Sequence, residues 1–131
     1  MKNPKWTNNF EEACHMSNIG PAIPDLSGFS EKLQRKMIAL YKLEVISEVN
    51  NAIENGGEKW EANYADTNEA KFLALFDIVK DEKAPRGFRL VCDDYAYVRG
   101  ATASGARPPL KTPELTEFMG KECPELYADL M

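Results

Sequence analysis

Between residues 86 and 111 the chain carries five cations, Arg86, Arg89, Arg99, Arg107 and Lys111, opposed only by Asp93 and Asp94. That leaves +3 on this segment and −8 on the rest of a chain whose net charge is −5. The planar guanidinium fork suits phosphates and carboxylates in a way a lysine ammonium does not. Phe88, Tyr95 and Tyr97 fall in the same stretch and offer rings on which bases stack. The chemistry to expect is recognition, with Arg86, Arg89, Arg99, Arg107 and Tyr97 as the candidate binding residues. The competing reading is structural, because arginines on strands commonly pair with acids of neighbouring helices and strand tyrosines commonly belong to a core.

Catalytic constellations are harder to assemble. Cys14, Cys92 and Cys123 are widely separated, and no two have the spacing of a structural zinc site. An odd number of scattered cysteines fits a reducing compartment better than a disulfide framework. Cys92, within LVCDD, and Cys123, within GKECPEL, read as packing thiols. His15 is the single histidine, and its neighbour Cys14 points about 100° away on a helix, so the two do not face one another. A helix-terminal histidine set against the dipole is the simpler reading. Asp93 and Asp94, with Asp77, Asp81 and Glu82, suggest a two-metal carboxylate site. Adjacent acids on a strand point to opposite faces, so that site requires a bulge. Neither a phosphate-cradling glycine loop nor a GxSxG elbow occurs. No metal, no cofactor and no catalytic residue is expected.

These residues need elements to hold them. Residues 6–16 read as a short helix with Thr7 or Asn9 as cap and Phe10, Ala13 and Cys14 on one face. The loop SNIGPAIPDLSGF comes next, and its Ile19, Ile23, Leu26 and Phe29 are expected to pack onto the body. Ser30 caps the longest element, residues 31–55, which Asn55-Gly56-Gly57 ends. Apolar residues cover more than half of its circumference, which predicts a central helix covered on two sides. Residues 66–78 stay ambiguous: Asp66–Glu69 reads as a capping box ahead of a helix, while KFLALFDIV also suits a strand. DEKAPRG is a turn, and the alternation from Phe88 to Val98 predicts a strand. RGATASGARPP reads as a hairpin loop or exposed arm. Thr112-Pro113-Glu114 starts the last helix, which Gly120 and Pro124 are expected to break or kink.

At 131 residues the chain has the length of one ordinary domain, enough to bury roughly two thirds of its unfolded surface. The acidic balance disfavours a nucleic-acid binder that uses its whole surface. No apolar run approaches the roughly 18 residues of a spanning helix, and the first residues lack a leader-like apolar stretch. The expectation is one α+β domain over 1–131, in the cytoplasm and off the membrane. Residues 1–29 would form an N-terminal helix and packed loop. Residues 30–131 would form a body in which a long central helix lies against a small antiparallel sheet, with a C-terminal helix.

The segments IPDLSGFSEKLQ, MIALYKLEVI, the region around Trp60, DTNEAKF, PRGF, SGAR, LKTPEL and FMGKECPELYADL occur in that order over residues 23–131. In this order and spacing the chain resembles a family of small proteins from phages and prophages of Bacteroides-type bacteria. The resemblance implies a long helix, a small antiparallel sheet and a C-terminal helix, and carries over no catalytic residue or ligand. It departs where LALFDIV replaces an aromatic-rich strand and where Pro108-Pro109 replaces an apolar one. The function expected is that of a non-catalytic, phage- or mobile-element-encoded accessory protein that binds a host or phage protein. The alternatives are a nucleic-acid binder using residues 86–111 and a self-associating structural subunit.

Overall fold

In a computed structural model, residues 3–99 and 108–131 are described. Asn9 caps α1 (Phe10–Met16) by accepting the Glu12 N–H at 2.9 Å. The helix starts later than the expected residue 6, because Trp6 and Thr7 leave the chain axis to enter the core. Ser30 caps α2 (Glu31–Glu54), its Oγ accepting the Leu33 N–H. At the other end Gly56, in the left-handed region at φ 73°, turns the chain so that the Gly57 N–H reaches the Ala52 carbonyl at 2.8 Å.

The ambiguous stretch resolves into turns and then a strand. Asp66, Asn68 and Glu69 form local turns, and β1 (Lys71–Lys80) pairs antiparallel with β2 (Phe88–Val98). Phe72 exchanges two 3.0 Å backbone bonds with Leu110, a single further rung on the outer edge of β1. Thr112 caps α3 (Pro113–Glu122), accepting the Leu115 N–H. Gly120 does not break this helix. The break falls at Cys123, and Pro124 opens α4 (Pro124–Ala128).

The α+β arrangement is as expected, but the layers differ from a long helix lying on a sheet. Among the described residues α2 meets α1, α3 and α4 rather than either strand, while α3 covers both strands and α4 covers β2. The two short C-terminal helices, α3 above all, take the place against the sheet. Gly120 of α3 stands directly over Cys92 and Ala74, so the missing side chain sets how closely helix and sheet approach. Leu43, Ile46, Leu110, Leu115 and Met119 fill the core between these layers.

Two packing expectations fail. Ile19, Ile23 and Phe29 of the loop 17–29 are exposed, as are Leu33 and Met37 in the first half of α2. The loop satisfies its backbone locally, for instance through the Asp25 side chain and the Leu26 carbonyl, and its glycines and prolines prevent an element that would dock. Only the second half of α2, from Ala39 to Asn51, is enclosed. No helix of the described residues is long and apolar enough to cross a membrane.

Candidate functional site

The hairpin separates the arginines that lie together in sequence. Arg86, in the turn between the strands, closes onto α4: one guanidinium nitrogen pairs tightly with Asp129, another lies 3.9 Å from Glu125. Asp129 also receives Arg35 from α2 at 3.8 Å. Arg89, at the start of β2, lies 3.7 Å from Asp81. Arg86 thus ties the hairpin turn to the end of α4, whereas Arg89, still 57 % exposed, pairs with an acid of its own hairpin rather than with a neighbouring helix. Tyr97 and Arg99 lie toward the other end of β2, eight residues beyond Arg89 in the case of Tyr97, or roughly 26 Å along a strand. The four described candidates thus form no single patch, and Arg107 lies outside the described residues.

What remains of the expected interface is an aromatic–arginine pair. Tyr97 is 58 % exposed, and the Arg99 guanidinium sits 5.4 Å from its ring centroid. Phe72 packs against Tyr97 and, edge-on, against Tyr95, so the exposed ring stands on an aromatic base.

The acids adopt the one arrangement that removes the alternation argument. Leu75 faces Asp94 and Asp77 faces Val91, so Cys92 and Asp93 together oppose Phe76 in a bulge. Asp93 and Asp94 are consequently both exposed. They open onto solvent, and among the described residues no group of three histidines, cysteines or carboxylates is placed to hold a metal ion. His15 lies in the last turn of α1, exposed, while Cys14 beside it is buried.

All three thiols are buried. Burial pushes Cys92 up, partly offset by its contact with the Asp94 carbonyl and by Lys121. Burial, with a smaller contribution from Glu122, pushes Cys123 up to about 12. Both shifts favour the protonated thiol, opposite in direction to the lowering that activates a reactive cysteine.

The best-organised polar groups were not among the sequence candidates. Asn50 is fully buried and pairs with both backbone groups of Thr7: its Oδ1 accepts the N–H and its Nδ2 donates to the carbonyl, each at 2.9 Å. Asn51, turned about 100° from it, accepts the Lys111 N–H at 2.9 Å and donates to the Pro109 carbonyl at 3.1 Å. One turn on, Glu54 accepts from the Trp6 indole and from the Thr112 hydroxyl. The end of α2 thereby holds the N-terminal segment and the approach to α3. The available signal was two asparagines, poor helix formers, inside the apolar run VISEVNNAI.

Lys71 was missed for a similar reason. Its buried ammonium donates to the Asp66 and Glu69 carbonyls at 3.0 and 3.1 Å and lies 5.4 Å from the Tyr64 ring centroid. It organises the loop before β1 as an internal cation. Comparison with protein-family models, with curated proteins and with solved structures finds no match to this chain.

Proposed function

We propose that this chain is a non-catalytic accessory protein that works by binding another protein. The observation that carries the reading is the apolar row entering α2: Phe29, Leu33 and Met37, four residues apart, are 48, 40 and 37 % exposed. A spacing of four keeps Leu33 and Met37 on one helix face. Grouped apolar exposure of this kind marks interaction surfaces on soluble proteins. The order of segments over residues 23–131 further favours a phage or mobile-element origin, a part of the reading that rests on resemblance alone.

Nucleic-acid binding is the second reading, supported by Tyr97 with Arg99. It is weakened by the ion pairs that engage Arg86 and Arg89. The test is quantitative retention of lysate proteins after nuclease treatment, wild type against Leu33→Lys/Met37→Lys, with sedimentation of both to detect self-association. Loss of a hot-spot contact predicts at least about thirtyfold weaker retention of a specific partner, or of a second copy. Unchanged retention of the same proteins overturns the reading. Recovery of nucleic acid alone, before nuclease, puts the second reading in its place.

A further inference from the structure

A cleft of about 340 Å³ lies between the second half of α2, the segment 59–64 and Pro108-Pro109, and neither the apolar row nor Tyr97 lines it. Its volume is at the lower end of ligand-binding clefts, which run from about 300 to 1,000 Å³. Glu44, Ser47, Glu48 and Asn51 share one face of α2 and line it, and Trp60 and Tyr64 line it from the loop. Both polar atoms of the Asn51 amide are bonded, the nitrogen to the Pro109 carbonyl and the oxygen to the Lys111 N–H. Ser47 is not engaged: it is 2 % exposed, it lines the cleft, and its hydroxyl has no hydrogen-bond partner. A buried hydroxyl without a partner carries the desolvation cost of that group, and a ligand atom in the cleft would relieve it.

The charges around that hydroxyl define what the ligand should be. Lys59 is held by Glu61 at 3.1 Å and also feels the charge of Glu48, so one cation faces the three carboxylates Glu44, Glu48 and Glu61 and two negative charges remain in excess. Glu44 forms no ion pair with any described residue. Its carboxyl is pushed up by burial and then by Glu48, as expected of an acid that lacks a cation. Trp60 and the proline pair supply apolar surface for an alkyl stem, and the tryptophan adds attraction for a cationic head.

We propose that this cleft binds a primary ammonium group on an alkyl stem, with Glu44 and Glu48 as counter-charges and the Ser47 hydroxyl accepting one ammonium hydrogen. A free alkylamine and a lysine side chain share this chemistry, and the experiment separates them. The full ¹⁵N-labelled chain is titrated with 1-aminopentane, with 1-pentanol, and with an acetyl-Gly-Lys-Gly amide beside its norleucine counterpart. The Ser47 amide and Trp60 indole cross-peaks are followed.

The expected result is saturable shifts with an amine and none with its neutral counterpart. Affinity should weaken about tenfold or more in Glu44→Gln/Glu48→Gln. Response to 1-aminopentane assigns the site to free amines, and response to the lysine peptide alone assigns it to a lysine-bearing partner. Glu44 and Glu48 lie at the surface with the Glu44 carboxyl partly covered, and unchanged cross-peaks of core residues such as Leu115 verify that this variant keeps the fold. Ser47→Ala provides the second variant, again with weaker amine binding expected. Absence of shifts with both amines, equal shifts with the alcohol, or undiminished affinity in the carboxamide variant overturns the proposal.

Discussion

Replacing Gly120 by alanine sets two effects against each other. Gly120 lies inside α3, where alanine is normally better by about 1 kcal/mol. Here, however, a Cβ at this position would lie 2.7 Å from the Cys92 Cβ, and closer still to its Sγ. Carbon atoms in contact sit at about 3.5–4.0 Å. The overlap is therefore close to 1 Å against an atom fixed to the backbone of β2, which rotamer change cannot relieve. Either α3 retreats from the sheet, loosening Leu115 and Met119, or the bulge at Cys92 and Asp93 deforms. Overpacking costs about 1–3 kcal/mol, and a fixed contact belongs at the upper end, so the net expectation is a loss of about 2 kcal/mol. Equilibrium urea unfolding should show this as a midpoint lower by roughly 1 M at an unchanged slope near 2 kcal/mol/M. Cys92→Ala removes the Sγ overlap but not the Cβ contact, so the double variant should recover part of the loss, with a coupling of about 1 kcal/mol. A Gly120→Ala protein as stable as wild type, or more so, would refute the close approach of α3 to the sheet.

Two groups enclosed by the fold give further expected outcomes. Asn50→Ala leaves the buried N–H and carbonyl of Thr7 without their partner and should cost about 3 kcal/mol in the same unfolding assay; a loss below about 1 kcal/mol would mean the clamp contributes little. Cys123, with its folded value near 12 against an ordinary 9.0, should make stability fall as the medium turns alkaline. The unfolded thiol ionises first and binds fewer protons than the folded one, so the contribution is complete below pH 9. It is lost at about 1.4 kcal/mol per pH unit between roughly 9 and 12. Unfolding measured at pH 8, 9, 10 and 11 should show a shallower decline in Cys123→Ala, and an identical decline would exclude this thiol as its source.

Features decided within a few residues were legible in the sequence. Ser30 before α2, Gly56 after it, and Thr112-Pro113 before α3 each satisfy a neighbouring backbone group, and each stands where expected. The strand β1 was not legible, because KFLALFDIV fits both periods and only its pairing with residues 88–98 decides between them. The excess of positive charge around Arg86–Lys111 was readable, but its use was not. Arg86 is committed by Asp129, 43 positions away, a placement made by tertiary structure. The loop 17–29 looked like core because composition records how apolar a segment is, whereas burial also requires a surface for it to meet. The cleft beside Ser47 escaped for the complementary reason. Glu44, Ser47 and Glu48 looked like an ordinary polar helix face until the segments 59–64 and 108–109 were folded over it.

The paired asparagines on α2 also bear on the order of assembly. Asn50 closes a loop of 43 residues back to Thr7, and Asn51 closes one of 58 residues forward to Pro109. Closure entropy grows only with the logarithm of loop length, so the two closures differ by about 0.3 kcal/mol. The two arms of the chain thus reach adjacent positions on one helical turn at nearly equal entropic cost. Loop length gives neither arm a head start in docking, and the sequence in which they close is left to the apolar partners each brings: Trp6 and Phe10 on one side, Leu110 and Leu115 on the other.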